Sequence, residues 1–572
     1  MQEIIDILRV ETRWAGEIGT IFCKEMLDYL RNKLIARIRE IADSDSIYTQ
    51  DALSERLANA GLLPMFGFPT RVRLLYTRWP WVGVPWPPET GIVDRNLDVA
   101  LSQFAPGSQT VKDKAVHTAC GVVDLRPAGN TVQTRPGFIP DLTVPNPRPI
   151  GICSNCQAVC NLDAMDRLLP GGQKAALCEC PVCKAPETLL PLDAREPRSF
   201  FTDLMPQDFE GQFEWTPRST RPTLSIDAQT STPSNVNNVA LASFWEDIIS
   251  VNDNAGVGGF DFYDAKVYDE VKPGAYTVAT ETSERVTATG NSRRVALLSR
   301  RKTDILLVDV QQWPQGVFAD PTTVVGRAAW FSFAFWLRTV AGAHLDVDPQ
   351  ELQTGFRPLV GTGKYLTKGQ VFLCDQLENG AGYCRFLGQP EEFQVLLKHA
   401  DPTYLDPQGR ISIAHQWMDT ASTPSKIGHG VECDASCNLC LRDFANLAYH
   451  GLLDWRLALD MARIATSHLN SIDQFSDWHG SPNPWRNLLE GTKAPVPAVL
   501  EQLGYEEPAS LGALRIYRCS QRQKLLIECH PLWQEDHPLY RNTYLAAQKA
   551  FPTYEIRPVN PFMVLRRPAD YI

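Results

Sequence analysis

The residues of this chain best suited to chemistry are cysteines, and several of them come in short, regularly spaced groups. Cys153-Ser-Asn-Cys156 and Cys180-Pro-Val-Cys183 are two C-x-x-C knuckles with 23 residues between them. This is close to the spacing with which four thiolates enclose a tetrahedral zinc ion in a ribbon. Such a site leaves no open position for water, so it folds a module and does not catalyse a reaction. Cys160 and Cys178 lie beside it as spare thiols. The second group reads His429-Gly-Val-Glu-Cys433-Asp-Ala-Ser-Cys437-Asn-Leu-Cys440, three cysteines that need a fourth ligand. His429 before them, His450 after them, and Cys374 or Cys384 from farther away all qualify. Three thiolates ahead of a helix also suit an iron–sulfur cluster, and His429 as a plain surface histidine is the alternative to its being a ligand. The expected cofactor is zinc.

Fifteen cysteines in 572 residues are too few for a disulfide scaffold, and their pairing points to metal in a reducing compartment. The formal net charge of −11 argues against coating nucleic acid by bulk electrostatics. It leaves room for a local basic stripe. Arg71, Arg73 and Arg78 form one cluster, and Arg293, Arg294, Arg300, Arg301 and Lys302 form another. Of these, Arg71, Arg73, Arg293, Arg294, Arg300 and Arg301 are the candidates for phosphate contact, with solvated faces or ion pairs as the plain alternative. The longest apolar run, Ala328 to Val340, carries Arg338 and is too short to span a bilayer. The acidic start, Met-Gln-Glu-Ile-Ile-Asp, is no secretory signal, so the expectation is a cytoplasmic protein with no membrane partner.

Catalytic signatures are missing from the sequence. Gly361-Thr-Gly363-Lys364-Tyr365 imitates a P-loop, but Pro358 stands at its first glycine position and Tyr365 at its hydroxyl position. There is no G-x-S-x-G elbow and no H-E-x-x-H helix. Asp346, Asp348 and Glu351 read as a helix cap and a solvated turn sooner than as a metal site.

Apolar spacing of three and four gives helices over 1–60, and loops with short strands over 61–150. The ribbon occupies 151–190, and a β-rich region 191–330 follows with a Ser/Thr/Asn/Pro-rich linker near 222–240. Alternation marks a strand from Val295 to Val310, and Trp330 to Val340 reads as a buried helix. A helical zinc-binding domain takes 331–490, with Leu453, Leu457, Met461, Ile464 and Leu469 on one helix face, and a mixed α/β segment takes 491–572. The fold class is α+β multidomain, with a small zinc-ribbon module, a β-rich middle, a helical zinc-binding domain near the C-terminus and no RecA-like ATPase core.

Several stretches resemble the C-terminal region of MrfA-like superfamily-2 helicases and the DrmB subunit of the DISARM anti-phage system. Cys433-Asp-Ala-Ser-Cys437-Asn-Leu-Cys440-Leu-Arg442-Asp443-Phe444-Ala-Asn446, with His450 and Leu453-Asp454 after it, is similar to the zinc-binding signature of that group. Phe444 stands where tyrosine is usual. Leu63-Pro-Met-Phe-Gly-Phe-Pro-Thr-Arg71 resembles the segment that follows the second motor domain, and Phe104-Ala-Pro-Gly107 the one after it. Arg195-Glu196-Pro197, just past the ribbon, agrees as well. The resemblance implies a non-ATPase accessory subunit of a split helicase complex, because no motor precedes these segments. Its partners would be a superfamily-2 ATPase and, through the complex, DNA, in anti-phage defence. Two other readings stand beside this one: a metal-dependent nuclease or DNA-modifying enzyme without a recognisable motif, and a defence scaffold that does not touch DNA.

Overall fold

The longest strand and the longest helix set the frame on which everything else is placed. The computed structural model describes residues 71–572 apart from 84, 163–176, 212–220, 228–231, 268–276, 281, 379, 424–425, 444–445, 467–482 and 492–493, together with 24, 27–30, 32–43, 53–60 and 62. Two compact units emerge: 1–72 with 377–379, and 73–376 with 380–572. In the first, the expected helical character shows as α1 (Leu34–Asp43) and α2 (Leu53–Asn59). Residues 1–23, and the Leu63–Thr70 stretch of the family resemblance, lie outside the described residues, as do Phe444 and Leu469.

The second unit is organised by a 16-stranded sheet. Its strands include β1 (Val72–Tyr76), β2 (Ala115–Val122), β3 (Phe200–Thr202), β4 (Val239–Asn252), β5 (Phe260–Val267), β6 (Val278–Ala279), β7 (Val286–Val310), β8 (Leu352–Val360) and β9 (Thr367–Asp375). Strand β7 has 25 residues and changes partner along its length. From Leu297 to Val310 it pairs antiparallel with β4, Val239 facing Val310 and Asn252 facing Leu297. From Val286 to Val295 it pairs with β5 across a register shift between Phe262 and Asp264, next to which Gly290 adopts φ +76°. The bulge and the glycine let one strand turn from one part of the sheet into the other. The β8–β9 hairpin completes the sheet on the far side of β7, with Ile305 opposite Cys374.

Helix α4 (Val324–Leu345) lies against this hairpin. Thr323 caps it by accepting from the Gly326 N–H at 3.0 Å, and Asp346, in the left-handed conformation, ends it. Fifteen of its 22 residues are buried, so it is a helix enclosed on most sides, as an almost uninterrupted Ala/Trp/Phe/Leu sequence dictates. Trp330 packs on the backbone of Gly369 in β9, where a Cβ would stand 2.2 Å from the ring. Among the described residues no helix is long and apolar enough to cross a membrane.

The sequence reading placed several elements short. The buried helix expected over Trp330–Val340 extends to both sides, and the strand expected from Val295 begins at Val286. The described parts of the expected 222–240 linker hold strands Arg221–Thr223 and Ser234–Val236, both paired with β4, while residues 228–231 lie outside the described residues. Pro222, Thr223, Ser234 and Asn235 sit in these edge strands, where proline and polar side chains are tolerated. The boundary expected at 330/331 falls inside α4, and the hairpin β8–β9 beyond it belongs to the same sheet as β4 and β7. The P-loop imitation is the turn of that hairpin, and Lys364 pairs there with Asp536 at 2.6 Å. Asp348 caps the short helix Pro349–Glu351 by accepting from the Gln350 N–H at 2.8 Å, the capping role expected from sequence.

Candidate metal centres and nucleic-acid surface

The first cysteine group is built on a three-stranded sheet of Ile150–Cys153, Val159–Asn161 and Leu189–Leu192. Each knuckle closes in the same way. The N–H of Gln157 donates to the Cys153 carbonyl and that of Lys184 to the Cys180 carbonyl, both at 3.0 Å. Gln157 and Lys184 both take a positive φ, 67° and 57°. Two non-glycine residues in the left-handed region carry strain of about 1 kcal/mol or more each, which the closed loop has to sustain. The result brings Cys153, Cys156, Cys180 and Cys183 together with all four sulfurs within 4.8 Å of one another. Cys153 and Cys183 are 3.8 Å apart, and Cys156 and Cys180 3.7 Å. A tetrahedron of Zn–S bonds of about 2.3 Å has edges of about 3.8 Å, so the site has the size of a zinc ion. The N–H groups of Cys156 and Val182 aim at Cys153 and Cys180 sulfurs at 3.4 Å, the kind of outer contact that favours thiolates. Contact with Cys153 and burial hold the Cys156 thiol high, and burial pushes Cys180 up to about 11. The contact that raises Cys156 lowers Cys153, to about 4, and a cation among the four sulfurs favours their thiolate form.

The second group gathers His429, Cys433, Cys437 and Cys440 within the same limit. His429 opens the single-turn helix α5 (His429–Glu432), and Cys433 ends it. His429 Nδ1 lies 3.0 Å from the Trp417 carbonyl and donates to it, which leaves Nε2 buried and without a partner. That orphaned nitrogen is the atom a metal would take. The other candidates are engaged elsewhere. His450 Nε2 bonds Asn446 Oδ1 at 2.8 Å, Cys374 contacts Arg301, and Cys384, whose backbone N–H donates to Asp375 Oδ1 at 2.9 Å, is not among the grouped ligands. Contact with Cys440, then burial, raises the Cys433 thiol. One imidazole and three thiolates fit zinc, and a bound ion would cross-link the loop. The loop in turn holds α6 (Trp455–Thr466). Trp455 Nε1 donates to the Cys433 carbonyl at 3.2 Å, and the fully buried Arg456 donates to the Asp434 carbonyl at 2.6 Å. Both sites are closed by their protein ligands, which is the arrangement of a structural metal.

The structure does not assemble the six candidate arginines into a stripe. Arg71 is 8% exposed and lies 3.8 Å from Glu378, and Arg73 pairs with Glu196 at 2.6 Å. Arg301 is 3% exposed and donates to the Asp375 carbonyl and to Gln353, both at 2.7 Å, beside Asp98. Arg294 makes a two-bond pair with Asp261, and Arg293 lies 3.5 Å from Asp264, both across the β5–β7 ladder. Arg300 is held by the Arg148 carbonyl, and burial lowers its pKa. The reason is strand geometry: neighbours along β7 point to opposite faces, so Arg300 and Lys302 share one face and Arg301 is driven into the interior. Sequence reasoning missed the exposed aromatic on that face. Trp245 of β4, opposite Asp304, is 45% exposed and carries the ammonium of Lys302 4.8 Å from its ring centroid. Only the β4–β7 register reveals this pair, and no single segment announces it.

No family model matches the sequence. The chain is 25% identical over 451 residues to Druantia protein DruE of Escherichia coli (strain UMEA 4076-1). It is similar to that protein over 73% of its own length. The alignment takes in 22% of DruE, so the chain spans about a fifth of the length of this curated relative. Among solved structures, the DUF1998 helicase MrfA bound to DNA overlaps 59% of this chain and 37% of its own at 10% identity, with a TM-score of 0.26. A second form, bound to DNA and AMPPNP, overlaps 48% and 30% at 8% identity, with a TM-score of 0.15.

Proposed function

We propose that this chain is a DNA-binding, non-ATPase component of a superfamily-2 helicase system of anti-phage defence, working with an ATPase on another polypeptide in the manner of DISARM. The observation that carries this reading is the 451-residue similarity to DruE. The two closed metal sites support a structural role for zinc, which when bound supplies folding free energy and no reaction step. Zinc would be held by Cys153, Cys156, Cys180 and Cys183 and by His429, Cys433, Cys437 and Cys440. Strand contact falls to the Trp245–Lys302 pair, an aromatic face for a base beside a cation for a phosphate.

The test is to tag the chain at native expression level, purify it gently, and identify by mass spectrometry what accompanies it in near-equal amount. A superfamily-2 ATPase, with ATP hydrolysis stimulated by DNA only in the assembled complex, is the expected result. A chain that runs alone and hydrolyses ATP by itself, or cleaves DNA in a metal-dependent way, would overturn the reading.

A further inference from the structure

The paired strands β4 and β7 have two unlike faces. One is interior: Leu297 packs with Leu97, Ala100 and Leu101 of α3 (Leu97–Gln103), and Arg301 reaches Asp98 of that helix. The other is roofed only toward its ends. At one end Ile249, Val251 and Leu298 are buried with Ile150, Val159 and Leu192 of the ribbon sheet. At the other, the short helix Tyr383–Leu387 closes over the strands, Leu306 shares its buried cluster, and Gly388 leaves no room for a Cβ beside the Ser243 hydroxyl. Between these covers runs an open trough, floored by Asp247 opposite Lys302 and Trp245 opposite Asp304. Each wall adds an arginine. Arg148, on the ribbon side, lies 3.9 Å from Asp247, and Arg385, on the helix, 2.9 Å from Asp304. The two carboxylates lie low, 22% and 8% exposed, while their arginines stand out at 70% and 72%. The trough therefore turns cations toward solvent on a chain of net charge −11. Lys302 is the third of them, its ammonium over the Trp245 ring. An ion pair or a cation over a ring is weak at an exposed site, so a phosphate can take either cation. Trp245, 45% exposed, then offers its ring to a base.

We propose that this trough is the track of a single DNA strand, bound without regard to sequence; as to the nucleic acid, the inference rests on the DNA reading above. Arg148, Lys302 and Arg385 take phosphates, and one base stacks on Trp245. A duplex cannot use that stack, because its base faces are already covered by their neighbours, and is left with the cations alone.

The experiment titrates the full chain into a fluorescein-labelled oligothymidylate, and into a duplex of the same length, and reads anisotropy at several salt concentrations. Three phosphate contacts at about 0.7 each predict that the logarithm of single-strand affinity falls with the logarithm of salt at a slope of about −2. Arg148→Gln and Arg385→Gln should each make that slope shallower by about 0.7. Trp245→Ala should weaken single-strand binding about tenfold at unchanged slope, the size of one lost base-stacking contact, and leave any duplex binding as it was. Trp245→Phe keeps a ring and should restore most of the affinity, which separates lost stacking from a misfolded protein. A single strand that binds every variant with the same affinity and slope overturns the track and leaves the DNA reading standing, with its contact elsewhere on the chain. A duplex that binds as tightly as the single strand, and weakens equally in Trp245→Ala, overturns the single-strand assignment. A chain that binds neither form sinks the DNA reading and the track with it.

Discussion

Replacing His429 by alanine tests the assignment on which the second metal centre depends. The atom removed is Nε2, buried and unpartnered, since Nδ1 is spent on the Trp417 carbonyl. A structural zinc site contributes about 10–16 kcal/mol at pH 7, so an equal share for one of four ligands is about 3–4 kcal/mol, a few hundredfold in metal affinity. The loss spreads if the loop detaches. Arg456, 1% exposed, then loses its bond to the Asp434 carbonyl while keeping Asp454 and the Pro484 carbonyl, and one lost hydrogen bond from a charged group costs about 1.5–3 kcal/mol. With two centres among the described residues, dialysis against a weak chelator should leave His429→Ala with one zinc fewer than the unsubstituted protein keeps, and with a lower thermal midpoint. His450→Ala should keep both, because its Nε2 serves Asn446 and the Asp443 carbonyl. Two retained zincs and an unchanged midpoint in His429→Ala, or loss of zinc in His450→Ala, would refute the ligand assignment.

Asp460 Oδ2 accepts from Trp485 Nε1 at 2.7 Å and from His530 Nε2 at 2.8 Å, all buried; Asp460→Ala strands two donors and should cost about 2–5 kcal/mol in urea unfolding. Arg301→Ala should destabilise by about 3–5 kcal/mol because Asp98 and two acceptors lose a buried cation. Lys302→Glu should do the reverse, leaving stability nearly unchanged and weakening DNA binding with a shallower salt dependence, as filter-binding titrations would read. Burial drops the His537 imidazole from 6.5 to about 4. The unfolded chain takes up that proton first as pH falls. Stability therefore declines from about pH 6.5 down to about pH 4, by at most about 3 kcal/mol, and His537→Gln should flatten that limb of the urea midpoint against pH.

The metal sites were legible because a knuckle is local: Cys153 and Cys156, or Cys437 and Cys440, are placed by the turn between them. Joining two knuckles takes only the shared need of an ion. The fourth ligand of the second centre stayed open, since the choice between His429 and His450 turns on which nitrogens the Trp417 carbonyl and Asn446 occupy. The arginine clusters misled because charge was counted along the chain, while β7 distributes consecutive residues to opposite faces. Element limits ran short where composition changes inside one element, as in α4, whose first turn holds Gly326 and Arg327.

Helix α4 touches one metal module near each end. Arg327 donates to the Asn155 carbonyl inside the first knuckle at 3.0 Å, and Arg338 pairs with Asp443 just past Cys440. Eleven residues of α-helix separate the two arginines by about 17 Å along the axis. The helix is thus a spacer that fixes how far apart the two ion sites stand.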